Sequence, residues 1–226
     1  MGQENLDIDA EKERIENLKA YEYAAYQEGY QLVAGIDEAG RGPIAGPVAA
    51  AGVILPRDFF LAGVNDSKLL SEKKRLQLVK IIKREALAWA VVMISPSQID
   101  RVNILQATKA AMRTVVNELL PRPDYLLIDA VKIPDMQTKQ YPIIRGDSLS
   151  ISIACASIIA KVERDWAMQA YETIFPGYGF ARHKGYATRE HILALERLGP
   201  SPIHRSSFEP VKSMVGCSNG VQINLF

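Results

Sequence analysis

Two adjacent carboxylates, Asp37 and Glu38, end an apolar run in this sequence and are followed at once by a glycine-rich turn. Bare acids are costly beside apolar surface, so a strand that ends in paired acids usually holds a metal ion or carries out acid–base chemistry. Gly40 and Gly42 then allow the backbone to approach a large group such as a phosphate chain. The segment GIDEAGRGPIAGP, residues 35–47, therefore indicates metal-dependent phosphate chemistry.

Two further acids follow predicted strands. Asp129 ends the apolar run YLLID (residues 125–129), and Asp147 comes one short turn after Ile143 and Ile144. A single aspartate of this kind is more often a turn former, and Asp147 alone would suit the cap of a helix that begins at Ser148. Recurrence favours a cluster, because strand ends converge on one edge of a sheet and clustered carboxylates repel each other unless cations lie among them.

Such a cluster offers only oxygen ligands, which suit Mg²⁺ or Mn²⁺, and the chain has no Cys/His set typical of zinc. Two such ions about 4 Å apart activate a water molecule and stabilise the leaving oxygen of a phosphodiester. The glycines at 40, 42 and 46 also resemble a dinucleotide-binding turn. That turn must open a helix, whereas Pro43 and Pro47 bracket this loop and the next segment is strand-like.

The composition is that of an ordinary globular protein, with 226 residues, 48% hydrophobic and 23% charged. Residues 1–30 hold eight acids and three bases, so the net charge of +1 conceals an excess of positive charge in the remainder. That excess suits a polyanionic partner without proving one. The sequence shows no apolar run of the roughly 18 residues that a membrane span needs and no secretory signal. Cys155 and Cys217 are expected to be reduced thiols, and we expect a cytoplasmic protein.

Periodicity predicts one mixed α/β domain, residues 31–211, preceded by a loosely packed helical arm (residues 1–30) and followed by a flexible tail (residues 212–226). The expected strands cover 31–37, 47–55, 88–94 and 125–129. The expected helices cover 9–28, 71–86, 103–120, 148–171 and 188–198, with Ser71 as an N-cap and Pro121 as a helix stop.

Taken together, the motifs resemble those of the ribonuclease HII family of type 2 ribonucleases H. DEAGRG (37–42), NDSK (65–68), LLIDA (126–130), GDSLSISIACASIIAKVERD (146–165) and GYGFARHKGY (177–186) follow the family pattern in order. The resemblance implies an α/β, RNase H-like fold with a mixed five-stranded sheet flanked by helices, and a small helical C-terminal subdomain at about 172–211. It also implies an endonuclease that cleaves RNA in RNA–DNA hybrids and 5′ of single ribonucleotides within duplex DNA.

The resemblance carries roles over to particular residues. Asp37, Glu38, Asp129 and Asp147 would be the catalytic, metal-binding acids, holding two Mg²⁺ or Mn²⁺ ions. The loop Gly40, Arg41, Gly42 would read the ribonucleotide 2′-hydroxyl, which is the local difference between RNA and DNA. Tyr186 would stack beneath the sugar that follows the ribonucleotide, although a loop tyrosine is more often a packing residue. Further backbone contacts would come from Ser67, Lys68, Lys161, Arg164, His183 and Lys184, the last four of which also fit a plain solvated surface.

Two alternatives remain. Ribonuclease HIII resembles this sequence in its acids but typically has another residue between the two glycines and a folded N-terminal domain, so Arg41 and the short arm favour HII. A non-catalytic nucleic-acid binder would not need four acids, since buried unused acids lower stability. Nothing in the sequence indicates an oligomer, and a monomer is expected.

The last five residues, QINLF (222–226), resemble the peptide by which bacterial replication and repair proteins dock on the DNA sliding clamp. Gln222, Leu225 and Phe226 would make the contacts, and the Gly- and Ser-containing stretch before them would act as a flexible tether. A frayed end is the competing interpretation.

Overall fold

The computed structural model describes residues 2–218 and the side chains of residues 8–215. The strands in that range are β1 (Val33–Ala39), β2 (Val48–Ile54), β3 (Ala88–Ile94), β4 (Tyr125–Asp129) and β5 (Lys139–Ile143). The helices are α1 (Gly2–Asn17), α2 (Ala20–Gln27), α3 (Glu72–Glu85), α4 (Pro96–Val102), α5 (Ile104–Glu118), α6 (Ile151–Ile174), α7 (Phe180–His183), α8 (Arg189–Leu198) and α9 (Val211–Ser218). None of them is long and apolar enough to cross a membrane.

The five strands form one mixed sheet in the order β3-β2-β1-β4-β5, which confirms the predicted fold class. The first three strands pair antiparallel, and β4 and β5 run parallel to β1. In the register between β1 and β4, Ile36 lies opposite Ile128. The residues that follow, Asp37 and Asp129, are therefore neighbours on adjacent strands, near the end of the sheet where β4 stops.

Helices cover both faces of the sheet. α3 and α6 pack on one face and α5 on the other, and each side has its own apolar core. Gly35 of β1 makes the closest approach, because a Cβ atom there would lie 2.1 Å from the backbone carbon of Ser152. Strand β1 and helix α6 thus meet backbone to backbone, which fixes the acids of β1 relative to α6.

Helix α6 begins later than the sequence suggested. The Ser150 side chain accepts a hydrogen bond from the Ile153 amide and is the N-cap, so the helix starts at Ile151. Asp147 lies in a short 3₁₀ helix (Gly146–Ser148). The interpretation of Asp147 as a helix cap is therefore wrong, and its carboxylate is available for the site.

The N-terminal arm is docked on the domain, contrary to the expectation of loose packing. It breaks into α1 and α2, and Ile15 and Ala25 are almost fully buried. Glu22 is also buried, and its Oε1 atom accepts hydrogen bonds from Ser150 Oγ at 2.6 Å and from the Ser152 amide at 3.0 Å. The arm therefore binds the start of α6.

Three helices were not predicted: α4, α7 and α9. α4 begins at Pro96, because Ser95 and Gln98 form a reciprocal capping box that tolerates proline in the first turn. α9 occupies residues 211–218, where a flexible tail was expected, and Val211 is buried against the side chains of Ile44 and Leu195. The remaining tail residues, including QINLF, lie outside the described range.

Candidate active site

Three of the four predicted acids line one cleft of about 230 Å³ at the edge of the sheet. Asp37 and Glu38 come from β1 and Asp129 from the end of β4. Asp147 lies next to this group, because its Oδ2 atom accepts from Lys68 Nζ and Lys68 lines the same cleft. The structure therefore brings the four acids together, as predicted. Asp37 and Asp147 are almost fully buried.

Backbone amides and two cations hold these carboxylates in place. Asp37 Oδ1 accepts from the Glu38 amide at 2.7 Å, and Asp129 Oδ1 accepts from the Gly146 amide at 2.7 Å. Lys68 Nζ donates to Asp147 Oδ2 at 3.2 Å. Arg41, from the glycine loop, donates to Glu38 Oε1 at 3.3 Å.

The carboxylates destabilise one another's charged forms. Burial, and then the charges of Glu38 and Asp129, raise the pKa of Asp37 well above its ordinary value. Burial also raises the pKa of Glu38, although the neighbouring Arg41 charge opposes the rise. The pKa of Asp129 is raised by burial and by Asp147. A cation among them would lower all of these pKa values.

The donor set fits a hard divalent cation. The groups are all carboxylate oxygens, and Glu38 Oε2 is buried without a hydrogen-bond partner in the described part of the chain. Within that part, no group of three His, Cys, Asp or Glu side chains is already arranged to hold a metal ion. Arg41 and Lys68, which now pair with two of the acids, would have to share them with an ion.

The glycine loop, residues 40–42, forms the adjoining wall of the same cleft together with Tyr186. Gly40 has φ +91°, and a Cβ there would lie 1.9 Å from Arg164 Nε, so only glycine fits. Gly42 is open: a Cβ there would meet only the Tyr186 ring, at 3.9 Å. Tyr186 is exposed at its ring and free to stack on a ligand.

Four of the six predicted backbone contacts also line the cleft: Ser67, Lys68, Lys161 and Arg164. Ser67 Oγ shares a 2.9 Å hydrogen bond with Ser157 Oγ, while Lys68 is exposed. Lys161 donates to Asp165 at 2.7 Å, which fixes its ammonium group beside the cleft.

Arg164, His183 and Lys184 have surroundings that differ from those expected. Arg164 is fully buried and donates to the carbonyl oxygens of Pro47, Ala45 and Lys184, so its guanidinium binds backbone rather than phosphate. Lys184 is buried too, with φ +52°. His183 is buried, and its ring donates to Tyr178 O and accepts from the Gly185 amide. Neither a phosphate contact nor a plain solvated surface suits Arg164 and His183.

Sequence reasoning missed Arg205. This fully buried side chain donates to Gly40 O at 2.6 Å, Arg41 O at 2.8 Å and Gly46 O at 3.0 Å. Burial, and then the charge of Arg164, lower the pKa of Arg205 to about 9, so the group keeps its charge at neutral pH. The only local signal was a His-Arg pair beside a proline, which does not reveal contacts made more than 150 residues away.

Comparison with known proteins identifies the family. Residues 34–211 match the family model described as ribonuclease HII. The chain is 59% identical to the ribonuclease HII of Syntrophomonas wolfei over 99% of its length and 90% of that protein. It is 51% identical to the ribonuclease HII of Caldanaerobacter subterraneus over 89% of its length and 83% of that protein.

Solved structures agree on the fold. Ribonuclease H2 of Pyrococcus horikoshii superposes with a TM-score of 0.69 at 23% identity, covering 84% of this chain and 100% of that one. Ribonuclease HII of Archaeoglobus fulgidus, solved as a complex with PCNA, gives 0.67 at 25% identity, covering 79% and 96%. With its acid-lined cleft and these relatives, the chain belongs to the ribonuclease HII family, a class of nucleases that hydrolyse RNA in RNA–DNA hybrids.

Proposed function

We propose that this protein is a divalent-metal-dependent endonuclease that cuts the RNA strand of RNA–DNA hybrids and the 5′ side of single ribonucleotides embedded in duplex DNA. The products would carry 3′-hydroxyl and 5′-phosphate ends, with the ribonucleotide at the 5′ end of the downstream product. Membership of the ribonuclease HII family supports the class of reaction.

The proposal of cleavage at single ribonucleotides rests on one observation, which is that the acids and the glycine loop line the same cleft. Asp37, Glu38 and Asp129 line it beside residues 40–42 and Tyr186. A 2′-hydroxyl both donates and accepts hydrogen bonds, so backbone groups at the open Gly42 can distinguish a ribose from a deoxyribose. The exposed Tyr186 ring, next to Gly42, would stack on the following sugar, where DNA begins.

Asp37, Glu38, Asp129 and Asp147 would together hold two Mg²⁺ or Mn²⁺ ions. When bound, such ions supply a nucleophilic water and charge stabilisation at the departing oxygen. The oxygen-only donor set and the unpartnered Glu38 Oε2 support this assignment. A structural neighbour of the same fold, the ribonuclease HIII known as Bst-RNase HIII, has been solved in complex with Mn²⁺.

The chain's own side chains would orient the substrate. Lys68, exposed beside Asp147, and Lys161 would bind non-bridging phosphate oxygens, and Ser67 would add a hydroxyl contact. Asp37 and Asp129 would hold the cations at fixed positions relative to the sheet, because the two carboxylates are themselves held by backbone amides. The 2′-hydroxyl serves recognition and positioning, and is not the nucleophile.

One incubation tests the proposal. A labelled DNA duplex containing a single ribonucleotide, with Mg²⁺ or Mn²⁺, should be cut once, 5′ of the ribonucleotide, and EDTA should stop the reaction. A requirement for several consecutive ribonucleotides would instead favour specificity like that of ribonuclease HIII. Binding without cleavage under any divalent ion would favour a non-catalytic role and contradict the proposal.

We also propose that Gln222, Leu225 and Phe226 dock on the DNA sliding clamp. Two facts support this: the QINLF sequence itself, and the complex with PCNA formed by the Archaeoglobus fulgidus ribonuclease HII. Deleting residues 222–226 should remove binding to the clamp in a pull-down and leave cleavage of short duplexes unchanged. Equal recovery of clamp by both chains would refute the assignment.

The remaining proposals concern organisation. We propose that residues 31–211 are the catalytic domain, with residues 172–211 as a helical subdomain, and that the protein acts as a cytoplasmic monomer. The burial of Ile15 and Glu22 supports treating the arm, residues 1–30, as a part that folds together with this domain.

A further inference from the structure

Two adjacent residues, His204 and Arg205, are linked by hydrogen bonds to the two parts of the proposed recognition surface, which are the glycine loop (residues 40–42) and Tyr186. Arg205 binds three carbonyl oxygens in and just after the glycine loop, residues 40–42. These bonds turn the carbonyl groups of Gly40 and Arg41 toward the protein interior. The opposite side of that loop is then left to face the cleft, as the exposure of Gly42 indicates.

His204 reaches Tyr186 through a chain of hydrogen bonds. Tyr186 O can only accept, so His191 Nδ1 donates to it, at 2.8 Å. The other nitrogen of a neutral His191 must then accept, and it lies 3.0 Å from His204 Nε2, which donates. His204 Nδ1 in turn accepts from the Ser201 amide at 2.9 Å. Every nitrogen in the chain has one role, and both rings must be neutral.

Few charged or titratable groups surround this chain of hydrogen bonds. His183 stacks on His191 with ring centroids 4.1 Å apart, and Tyr178 packs against His204. Phe180 packs on all three histidine rings. Burial lowers the pKa of His191 and that of His204 to about 4, which agrees with the neutral forms that the hydrogen bonds require.

The backbone carries the same connection. Residues 203–205 pair with residues 44–46: Gly46 N donates to Ile203 O at 2.8 Å and Arg205 N to Ile44 O at 2.9 Å. On the other side, Ile44 N donates to Gly185 O at 3.0 Å, directly before Tyr186. The glycine loop and Tyr186 are thus tied to one short segment from the helical subdomain.

We infer that His204 and Arg205 are positioning residues that set the spacing between the glycine loop and Tyr186, and so fix which phosphate is presented to the acids. This inference rests on the proposed function, because it assumes that the loop and Tyr186 contact neighbouring sugars. Neither residue touches the substrate. A wrong spacing leaves the binding surface intact but moves the scissile phosphate, so turnover falls more than affinity.

The test compares variant pairs that differ in the hydrogen bond retained. Arg205→Lys keeps the charge and one donor group, whereas Arg205→Met removes both. His204→Gln keeps an N–H donor toward His191, whereas His204→Leu removes it. Met112→Ala, in the core between α5 and the sheet, controls for lost stability alone. Each folded variant is assayed on a duplex with one ribonucleotide and on a uniform RNA–DNA hybrid, and the cut is mapped.

We expect Arg205→Met and His204→Leu to lower kcat about tenfold or more with KM within about threefold of the wild type, because misplacement of about 1 Å costs up to about 10²-fold. Cuts at neighbouring phosphates should increase. Lys and Gln should recover part of the loss. The variant with both His204→Leu and Arg205→Met should lose little more than the worse single variant, because both changes disturb one spacing.

Several results would overturn the inference. The first is a wild-type kcat with a single cut in both Arg205→Met and His204→Leu. The second is a loss of kcat no larger than that of a Met112→Ala protein of equal thermal stability. The third is fully additive losses of kcat in the double variant. A wild-type enzyme that cuts only the uniform hybrid would contradict the proposed function instead. In that case the kcat of the variants on the uniform hybrid still tests whether His204 and Arg205 are positioning residues.

Discussion

Asp37 and Asp129 lie one residue beyond the paired positions Ile36 and Ile128 of two neighbouring parallel strands. This register brings two carboxylates from sequence positions 92 residues apart to one edge of the sheet. Both have a raised pKa because of burial, and the charge of Asp129 adds to the rise at Asp37. The arrangement is electrostatically unfavourable until a cation is present, which is the physical basis of the first prediction.

Replacing one acid by its amide should stop cleavage. We expect Asp129→Asn and Asp147→Asn to lower Mg²⁺-dependent turnover by about 10²–10³-fold, since each removes charge from the metal-binding group. Binding of the duplex should weaken only modestly, because the proposed phosphate contacts, Lys68 and Lys161, are unchanged. Asp58→Asn, at an exposed position away from the cleft, is the control. Near-wild-type turnover in both amide variants would remove the carboxylate assignment.

Alanine substitutions at three glycines should separate backbone conformation, packing and access to the cleft. Gly29→Ala, at φ +99° with open space around it, should cost about 1–2 kcal/mol of folding free energy. Gly40→Ala should cost about 1–3 kcal/mol of folding free energy in addition, because the new Cβ meets Arg164. Gly42→Ala should leave stability unchanged but lower cleavage, since its methyl group enters the cleft.

Urea unfolding and single-turnover assays measure these effects. Gly29→Ala has no connection with the cleft, so its turnover should stay at the wild-type level. Equal stability of the Gly29→Ala and Gly40→Ala proteins would contradict the packing argument. Unchanged turnover in Gly42→Ala would argue against close contact between that residue and the substrate.

The arm should contribute to stability through Glu22. Ser150 and Ser152 donate to its Oε1 atom, so Glu22→Ala would leave buried donors without a partner. The expected loss is about 1–3 kcal/mol, read from the urea midpoint. Glu22→Gln, which keeps an acceptor oxygen, should lose less. Glu28→Ala, exposed at the end of α2, is the matched control, and an equal effect of the two alanine variants would disprove a specific role.

Mild acid should destabilise the fold through His191 and His204. Their pKa of about 4 lies below the ordinary value of 6.5, so the unfolded chain binds more protons between these values. The stabilisation is complete above pH 6.5 and declines as pH falls toward 4. Between pH 7.5 and pH 5 the loss should be about 1–2 kcal/mol per histidine.

Carboxylates also titrate in acid, so the comparison needs a variant that lacks one histidine. His204→Gln should show a shallower fall in urea midpoint between pH 7.5 and pH 5 than the wild-type chain. Parallel curves for the two proteins would show that these histidines are not the source of the pH dependence.

Local patterns predicted the elements that carry the acids. Strand β3 and the strand ending at Asp129 have the predicted bounds, and Ser71 is the predicted N-cap, because alternation and capping depend on neighbours in sequence. Helix α4 was not predicted, since a proline such as Pro96 is compatible with both a strand end and a first helical turn. The burial of Arg164 was not predicted either, because a basic residue on a helix gives no sign of which face is buried.

Positioning groups were the least predictable part of the site. Arg205 binds Gly40 across 165 residues of sequence, and the His191–His204 contact depends on how α8 packs on the following loop. No composition or periodicity reports such pairs. They become visible only when the fold places two buried guanidinium groups and two histidines under one loop.

Arg164 and Arg205 are both buried beneath the glycine loop, and among the described residues neither forms an ion pair with a carboxylate. Mobile counterions cannot approach a covered guanidinium as they approach an exposed ammonium such as that of Lys68. Added salt should therefore weaken the attraction of the exposed lysines for a polyanion while it leaves the contacts of Arg164 and Arg205 with backbone carbonyl groups unchanged. The position of the glycine loop is in this way made independent of the ionic strength of the surrounding solution.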